Sequence, residues 1–163
     1  MILIIPIGGI GNRFKIEGFI EPKALIQVLN KPIIFYLLDN LNLDKIDYIC
    51  IPYNKEYIEY DFENLLKMKY PNILFKFFCL DKNTGGAAET INIAINSLNE
   101  INDKPVLCLD SDSFYNCDII NKWNGSNCVF TIFDNNPNPI YSYITKNNNN
   151  NILDIKEKIK ISD

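Results

Sequence analysis

Apolar residues come in short dense runs along the chain. Residues 2–7, 46–52, 73–80, 105–109 and 127–133 are apolar and rich in β-branched side chains, which predicts strands. Between them, residues 32–42, 56–68, 86–97 and 117–123 carry helical patterns. In the third of these, Ala88, Ile91, Ile95 and Leu98 recur at helical spacing, so one face is expected to pack inward. Strands apolar on both sides and alternating with helices predict a parallel sheet covered on both faces. The rhythm then changes. Residues 140–145 and 152–157 are strand-like and joined by the run Asn147 to Asn151, a hairpin with a solvated tip. The expected architecture is a three-layer α/β domain with a β-hairpin appendage. In such sheets ligands sit beyond the carboxyl ends of the strands, so chemistry should gather just after strands one, three and four.

Composition narrows the chemistry. The 163 residues, 47% of them hydrophobic, suit one domain with a sizeable core, and a single domain over 1–163 is expected. With 0 His, a His general base, a His-activated nucleophile and His-ligated zinc are excluded. A formal charge of −4 argues against nucleic acid or an anionic membrane as the main partner. Phosphates would have to be held by a local site and a metal. No apolar run approaches the roughly 18 residues needed to cross a bilayer. The opening MILIIPI lacks the flanks of a signal peptide and reads as a buried strand, so a cytosolic address is the default. The 5 Cys include no CxxC pair and read as reduced thiols of the core. Against 15 Lys there is a single Arg, Arg13, and guanidinium is the cation that offers a planar fork to phosphate.

Three segments carry the candidate chemistry. After strand one come Gly8, Gly9, Gly11 and Arg13, then Pro22-Lys23. Glycines let the backbone turn tightly and bring N–H groups against a phosphate, with Arg13 and Lys23 adding charge from two directions. A strand–helix turn with surface cations would look similar, but two rival motifs fail. A dinucleotide fingerprint would need Gly where Phe14 stands and an acidic end to strand two, where Pro52 and Tyr53 stand; a Gly-Lys-Ser/Thr loop is absent. After strand three, Thr84-Gly85-Gly86-Ala87-Ala88 opens a helix with small residues, room for a flat ring or an anion, and equally ordinary helix-start chemistry. After strand four, Asp110 and Asp112 stand two apart, as suits Mg²⁺, which takes one or two carboxylates plus phosphate oxygens. Asp112 is the favoured ligand, with Asp110 as helper.

IIPIGGIGNRF followed by EPKALIQVLNKPIIFYLLDNL resembles the opening of the sugar-1-phosphate nucleotidyltransferases, the NDP-sugar pyrophosphorylases. The resemblance implies a Rossmann-like nucleotide-binding fold in which Gly8, Gly9 and Gly11 wrap a triphosphate while Arg13 and Lys23 neutralise charge. Gly86 and Ala87 would flank the nucleobase, and Asp112 with Asp110 would hold the metal. Glu157-Lys158, after the Asn-rich tip, is similar to the family's Glu-Lys step, where Glu binds sugar hydroxyls and Lys the sugar phosphate. The implied reaction joins an NTP and a sugar-1-phosphate (or a related phosphorylated acceptor) to give an NDP-sugar and pyrophosphate. Mg²⁺ is the implied cofactor, and glycan or polysaccharide synthesis the implied setting. The commoner Gly-Asp form of the metal segment is replaced by Asp110-Ser111-Asp112, and the Gly of the usual Pro-x-x-Tyr-Gly strand is missing near Tyr141.

The chain is expected to correspond to the N-terminal two-thirds of the family's catalytic domain, ending before a later Asp that completes the metal site. A homo-oligomer or a C-terminal fusion domain is compatible with that. A catalytically silent NTP-binding or regulatory module is therefore an alternative. A glycosyltransferase of related fold ranks lower, having no use for the paired Gly-rich and Pro-Lys segments.

Overall fold

The computed structural model describes residues 1–98 and 104–161. It divides into two compact units, residues 1–128 and 129–163.

In the first unit, strands β1 (Ile2–Ile4), β4 (Tyr48–Tyr53), β5 (Phe75–Cys79) and β6 (Val106–Cys108) form one parallel sheet in the order β5-β4-β1-β6. β1 and β4 are buried along their whole length. Residues inaccessible on both faces must be apolar on both, which is why these strands read as unbroken hydrophobic runs. Alternate side chains sort the core into two layers. Ile2, Ile4, Tyr48 and Cys50 pack with Ala94 and Leu98 of and just beyond helix α4 (Ala87–Ser97). Leu3, Ile5, Ile49 and Ile51 face the opposite way. They meet Ile34 and Leu38 of α2 (Ile33–Asp39), Phe62 and Leu66 of α3 (Phe62–Lys69), and Ile119 and Ile120 of α5 (Ile119–Lys122). The sheet is thus covered on both sides, as the patterning predicts.

Smaller elements refine that picture. A five-residue helix α1 (Asn12–Ile16) follows the glycine segment, and a short antiparallel pair, β2 (Gln27–Val28) and β3 (Lys31–Pro32), precedes α2. The helix expected over 56–68 is broken: a 3-10 turn spans Lys55–Tyr60, Asp61 turns left-handed with φ 48°, and α3 starts afresh. In α4 the inward face is Ile91, Ala94, Ile95 and Leu98, with Thr90 buried and Ala88 exposed. Ala88 sits in the first turn of α4, ahead of Ile91, where packing in that layer begins.

Two sequence expectations are corrected. Residues 127–133 form no strand; Val129, Ile132 and Phe133 are exposed, and β propensity alone does not make a strand without a neighbour to pair with. The thiols are not a core set either. Cys50 alone is buried, while Cys79, Cys108 and Cys128 are exposed and Cys117 is half-buried. Cys79 and Cys108 are the last residues of the two edge strands.

The second unit contains the expected hairpin, β7 (Ser142–Lys146) paired antiparallel with β8 (Ile152–Glu157), Ile144 opposite Ile155. Its Asn-rich tip closes on itself: the Asn147 side chain accepts from the Asn149 and Asn151 amides at 3.0 and 2.9 Å. Every residue of β8 is exposed.

Candidate functional site

β1 lies between β4 and β6: the chain winds outward from β1 through β4 to β5, then crosses back to β6 on the other side, and this reversal opens a crevice at the carboxyl end of β1. The glycine segment fills this position. Gly8 has no room for a side chain, since a Cβ there would stand 2.7 Å from Leu80 Cδ1 and 3.0 Å from Thr90 Oγ1. Gly11 caps α1 in the left-handed region, with φ 63°. A Cβ on Gly9 would meet nothing within 4 Å, leaving its backbone bare toward the opening. Arg13 extends from α1, exposed and with no carboxylate partner among the described residues. Lys23 starts a 3-10 turn, Lys23–Leu25, whose position 23 packs beside Gly11.

The loop after β5 forms a second wall. Thr84 Oγ1 and Thr90 Oγ1 share a hydrogen bond of 2.6 Å, the Thr90 hydroxyl lies 3.0 Å from the Gly86 carbonyl, and the Gly85 amide donates to Glu89 Oε2 at 2.6 Å. These bonds hold Gly86 and Ala87 at the opening of α4, and a Cβ on Gly86 would meet nothing within 4 Å. The third wall is the loop after β6. The Ser113 amide bonds back to the Asp110 carbonyl at 3.4 Å, Ser111 is buried, and Asp112 turns outward. There Asp112 Oδ2 meets Lys23 Nζ at 2.6 Å. Burial pushes the nearby Tyr115 phenol up; Ser113 opposes this by hydrogen bonding, and the charges of Asp110 and Asp112 add to it.

The three walls enclose a cleft of about 430 Å³. Gly8, Gly9, Gly11, Arg13, Lys23, Gly86, Ala87, Asp110 and Asp112 all line it, so the nine candidates drawn from three separate segments converge. Two cations, bare glycine backbone and two carboxylates suit a polyanion accompanied by a divalent cation. Among the described residues no three His, Cys, Asp or Glu side chains gather in a metal-holding group; the carboxylates that line this cleft are Asp110 and Asp112. Oxygen donors of that number fit a Mg²⁺ that completes its sphere with phosphate and water. The remaining two candidates, Glu157 and Lys158, belong to the second unit. They follow one another at the end of β8, both exposed, their side chains paired at 3.4 Å, with Lys158 at φ 54°.

A model of the nucleotidyl transferase family matches residues 2–162. The chain belongs to that family. Over 88 residues, 54% of its length, this chain is 30% identical to the bifunctional protein GlmU of Aquifex aeolicus (strain VF5), covering 17% of that relative. Its fold matches a Bacillus anthracis chain assigned as a glucose-1-phosphate thymidylyltransferase, with TM-score 0.72 and 19% identity over 98% of this chain. It also matches the nucleoside-diphosphate-sugar pyrophosphorylase from Vibrio cholerae RC9 (TM-score 0.68, 16% identity, 100% of this chain) and the inositol-1-phosphate CTP transferase from T. maritima (0.70, 14%, 97%). It spans 65%, 69% and 64% of those three chains. Likeness at these identities establishes the shared Rossmann-like α/β fold.

Residues that the sequence did not single out also build the cleft. After β4, Asn54 Nδ2 reaches Asn83 Oδ1 at 2.7 Å and the Gly8 carbonyl at 3.5 Å, tying the first and second walls together. Asn83, Ser111 and Tyr57 line the cleft as well. The signal was available: the rule that placed chemistry after three of the strands applies equally to β4, whose carboxyl end gives Asn54 and Tyr57. No helix among the described residues is long and apolar enough to cross a membrane.

Proposed function

We propose that this chain transfers a nucleotidyl group from an NTP to a sugar-1-phosphate, or a related phosphorylated acceptor, releasing pyrophosphate. The observation that carries this reading is the convergence of the glycine loop, Arg13, Lys23 and the Asp110–Asp112 pair on one cleft. In this reading a phosphate oxygen of the acceptor attacks the α-phosphorus, and the bond from that phosphorus to the oxygen bridging to the β-phosphate breaks. The electron pair leaves with pyrophosphate, and the new phosphorus–oxygen bond makes the NDP-sugar.

The nucleophile is already an anion, so no general base is needed, in keeping with 0 His in the chain. What the residues supply is position and charge. The backbone of Gly8, Gly9 and Gly11 cradles the triphosphate, Arg13 and Lys23 offset the charge gathering on the departing pyrophosphate, and Gly86 and Ala87 leave space for the base. Asp112, with Asp110 beside it, would hold Mg²⁺, which when bound screens phosphate charge and polarises the α-phosphate. Glu157 and Lys158 are assigned to the sugar hydroxyls and sugar phosphate by resemblance. The cytosol, with its pool of NTPs, is the setting this chemistry calls for, and glycan or polysaccharide synthesis the use.

The test is pyrophosphate release with Mg²⁺ across a panel of NTPs and sugar-1-phosphates. Release with one pair supports the reading and names the substrates. NTP binding with no release from any pair would point instead to a silent nucleotide-binding module.

A further inference from the structure

Tyr57 stands 33 positions from the residue its hydroxyl touches. It lies in the 3-10 turn Lys55–Tyr60 after β4 and is only 1% exposed. Its ring is wedged against Phe62, centroids 5.0 Å apart, and edge-on to Tyr53 at 6.4 Å, while its amide bonds to the Asn54 carbonyl at 3.1 Å. A ring held on these sides places its hydroxyl at a fixed point. That point is the Ala24 amide, which donates to the Tyr57 oxygen at 3.2 Å in a buried bond.

The turn Lys23–Leu25 needs that acceptor. The first amides of any helical turn lack partners within it, and a side-chain cap normally supplies one. Here the capping position is Pro22, which makes no side-chain hydrogen bond. The Leu25 amide reaches the Pro22 carbonyl at 2.8 Å, leaving Ala24 to be satisfied from elsewhere. Tyr57 supplies the bond from across the fold, and both Tyr57 and Lys23 line the cleft. Burial chiefly pushes the Tyr57 phenol up to about 12, opposed by the Ala24 bond and aided by Glu56 and Asp112, so the acceptor is a neutral hydroxyl at any working pH.

We propose that Tyr57 is a positioning residue for Lys23: its hydroxyl caps the turn that carries Lys23 and so fixes where the Lys23 ammonium stands, against Asp112 in the free protein and against phosphate in the complex. The second half rests on the nucleotidyltransferase reading above; the capping half does not.

The experiment uses the conservative variant Tyr57→Phe, which keeps the ring and removes only the oxygen. Amide hydrogen exchange in the ligand-free protein should show Ala24 opening about tenfold faster, with the amides of β1 and β4 unchanged. Affinity for inorganic tripolyphosphate, and for the best-bound of ATP, CTP, GTP, UTP and dTTP, should fall about threefold to tenfold. In a Lys23→Ala background, still holding Arg13, the same Tyr57→Phe change should cost nothing further, because the effect passes through Lys23. Unchanged Ala24 exchange overturns the cap. Wild-type affinity in Tyr57→Phe, or an equal loss with and without Lys23, overturns the positioning role. A wild-type chain that binds neither tripolyphosphate nor any NTP overturns the nucleotidyltransferase reading and with it the positioning half, while the exchange result still decides the cap.

Discussion

Lys23 and Asp112 form an ion pair of 2.6 Å that joins the turn after the glycine loop to the loop after β6. Both side chains keep about a third of their surface in water, 29% and 38%, so the pair is readily exchanged rather than a fixed strut. It neutralises the carboxylate proposed for the metal with the ammonium proposed for the phosphates. A triphosphate drawing Lys23 away would free Asp112 at the moment a cation arrives with the nucleotide. Mn²⁺ titrated into the ligand-free protein and followed by electron paramagnetic resonance should therefore bind about threefold or more tighter to Lys23→Met than to the wild type. Equal or weaker binding in the variant would show that Lys23 does not compete for Asp112.

Arg13→Ala and Asp112→Ala should each lower turnover by about 100-fold or more, since on the proposed reading the first loses a cation facing the phosphates and the second a carboxylate that holds the metal. Both residues are exposed, so melting temperatures should stay within about 2 °C of the wild type. Normal pyrophosphate release by either variant would remove that residue from the assignment.

Two neighbouring glycines should respond differently to the same methyl group. Gly8→Ala forces a Cβ into Leu80 and Thr90, and urea unfolding should show a loss of about 1–3 kcal/mol. Gly9→Ala meets open space, so its stability should hold while nucleotide affinity drops. Equal stability loss in both would contradict the packing described for Gly8.

Acid should weaken the first unit partly through Asp39. Burial raises the pKa of its carboxyl, but hydrogen bonds from Lys31 and Tyr70, with the charges of Lys31 and Lys69, outweigh that and hold it below the ordinary 3.8. A carboxylate depressed on folding contributes stability that is present above its unfolded value and lost as pH falls through its folded value. Asp39→Asn should therefore lower stability at pH 6, and flatten the fall in stability below about pH 4, as read from thermal melts across a pH series.

The layered sheet was legible in the sequence because β1 and β4 are buried on both faces and their apolar runs have no competing explanation. The glycine and Asp-x-Asp segments were legible because each follows a strand of the sheet, where loop chemistry is constrained, and Pro22-Lys23 because it accompanies the glycines and Arg13 in sequence. The strand expected at 127–133 failed because composition reports a preference, while a strand also needs a paired neighbour. Cys79 and Cys108 were misplaced because strand order, which makes β5 and β6 the edges, is not written in local pattern. Tyr57 escaped notice for a related reason: its partner Ala24 is distant in sequence, and an aromatic among Tyr60 and Phe62 in a helical pattern reads as core.

The close seating of Gly8 on Thr90, and the bond from Thr90 to Thr84, couple the start of the glycine loop to the start of α4 without slack. The gap between the two walls is thereby a gauge of set width. A ligand that engaged both walls would have to span that separation, so the coupling would favour one length among molecules of equal charge.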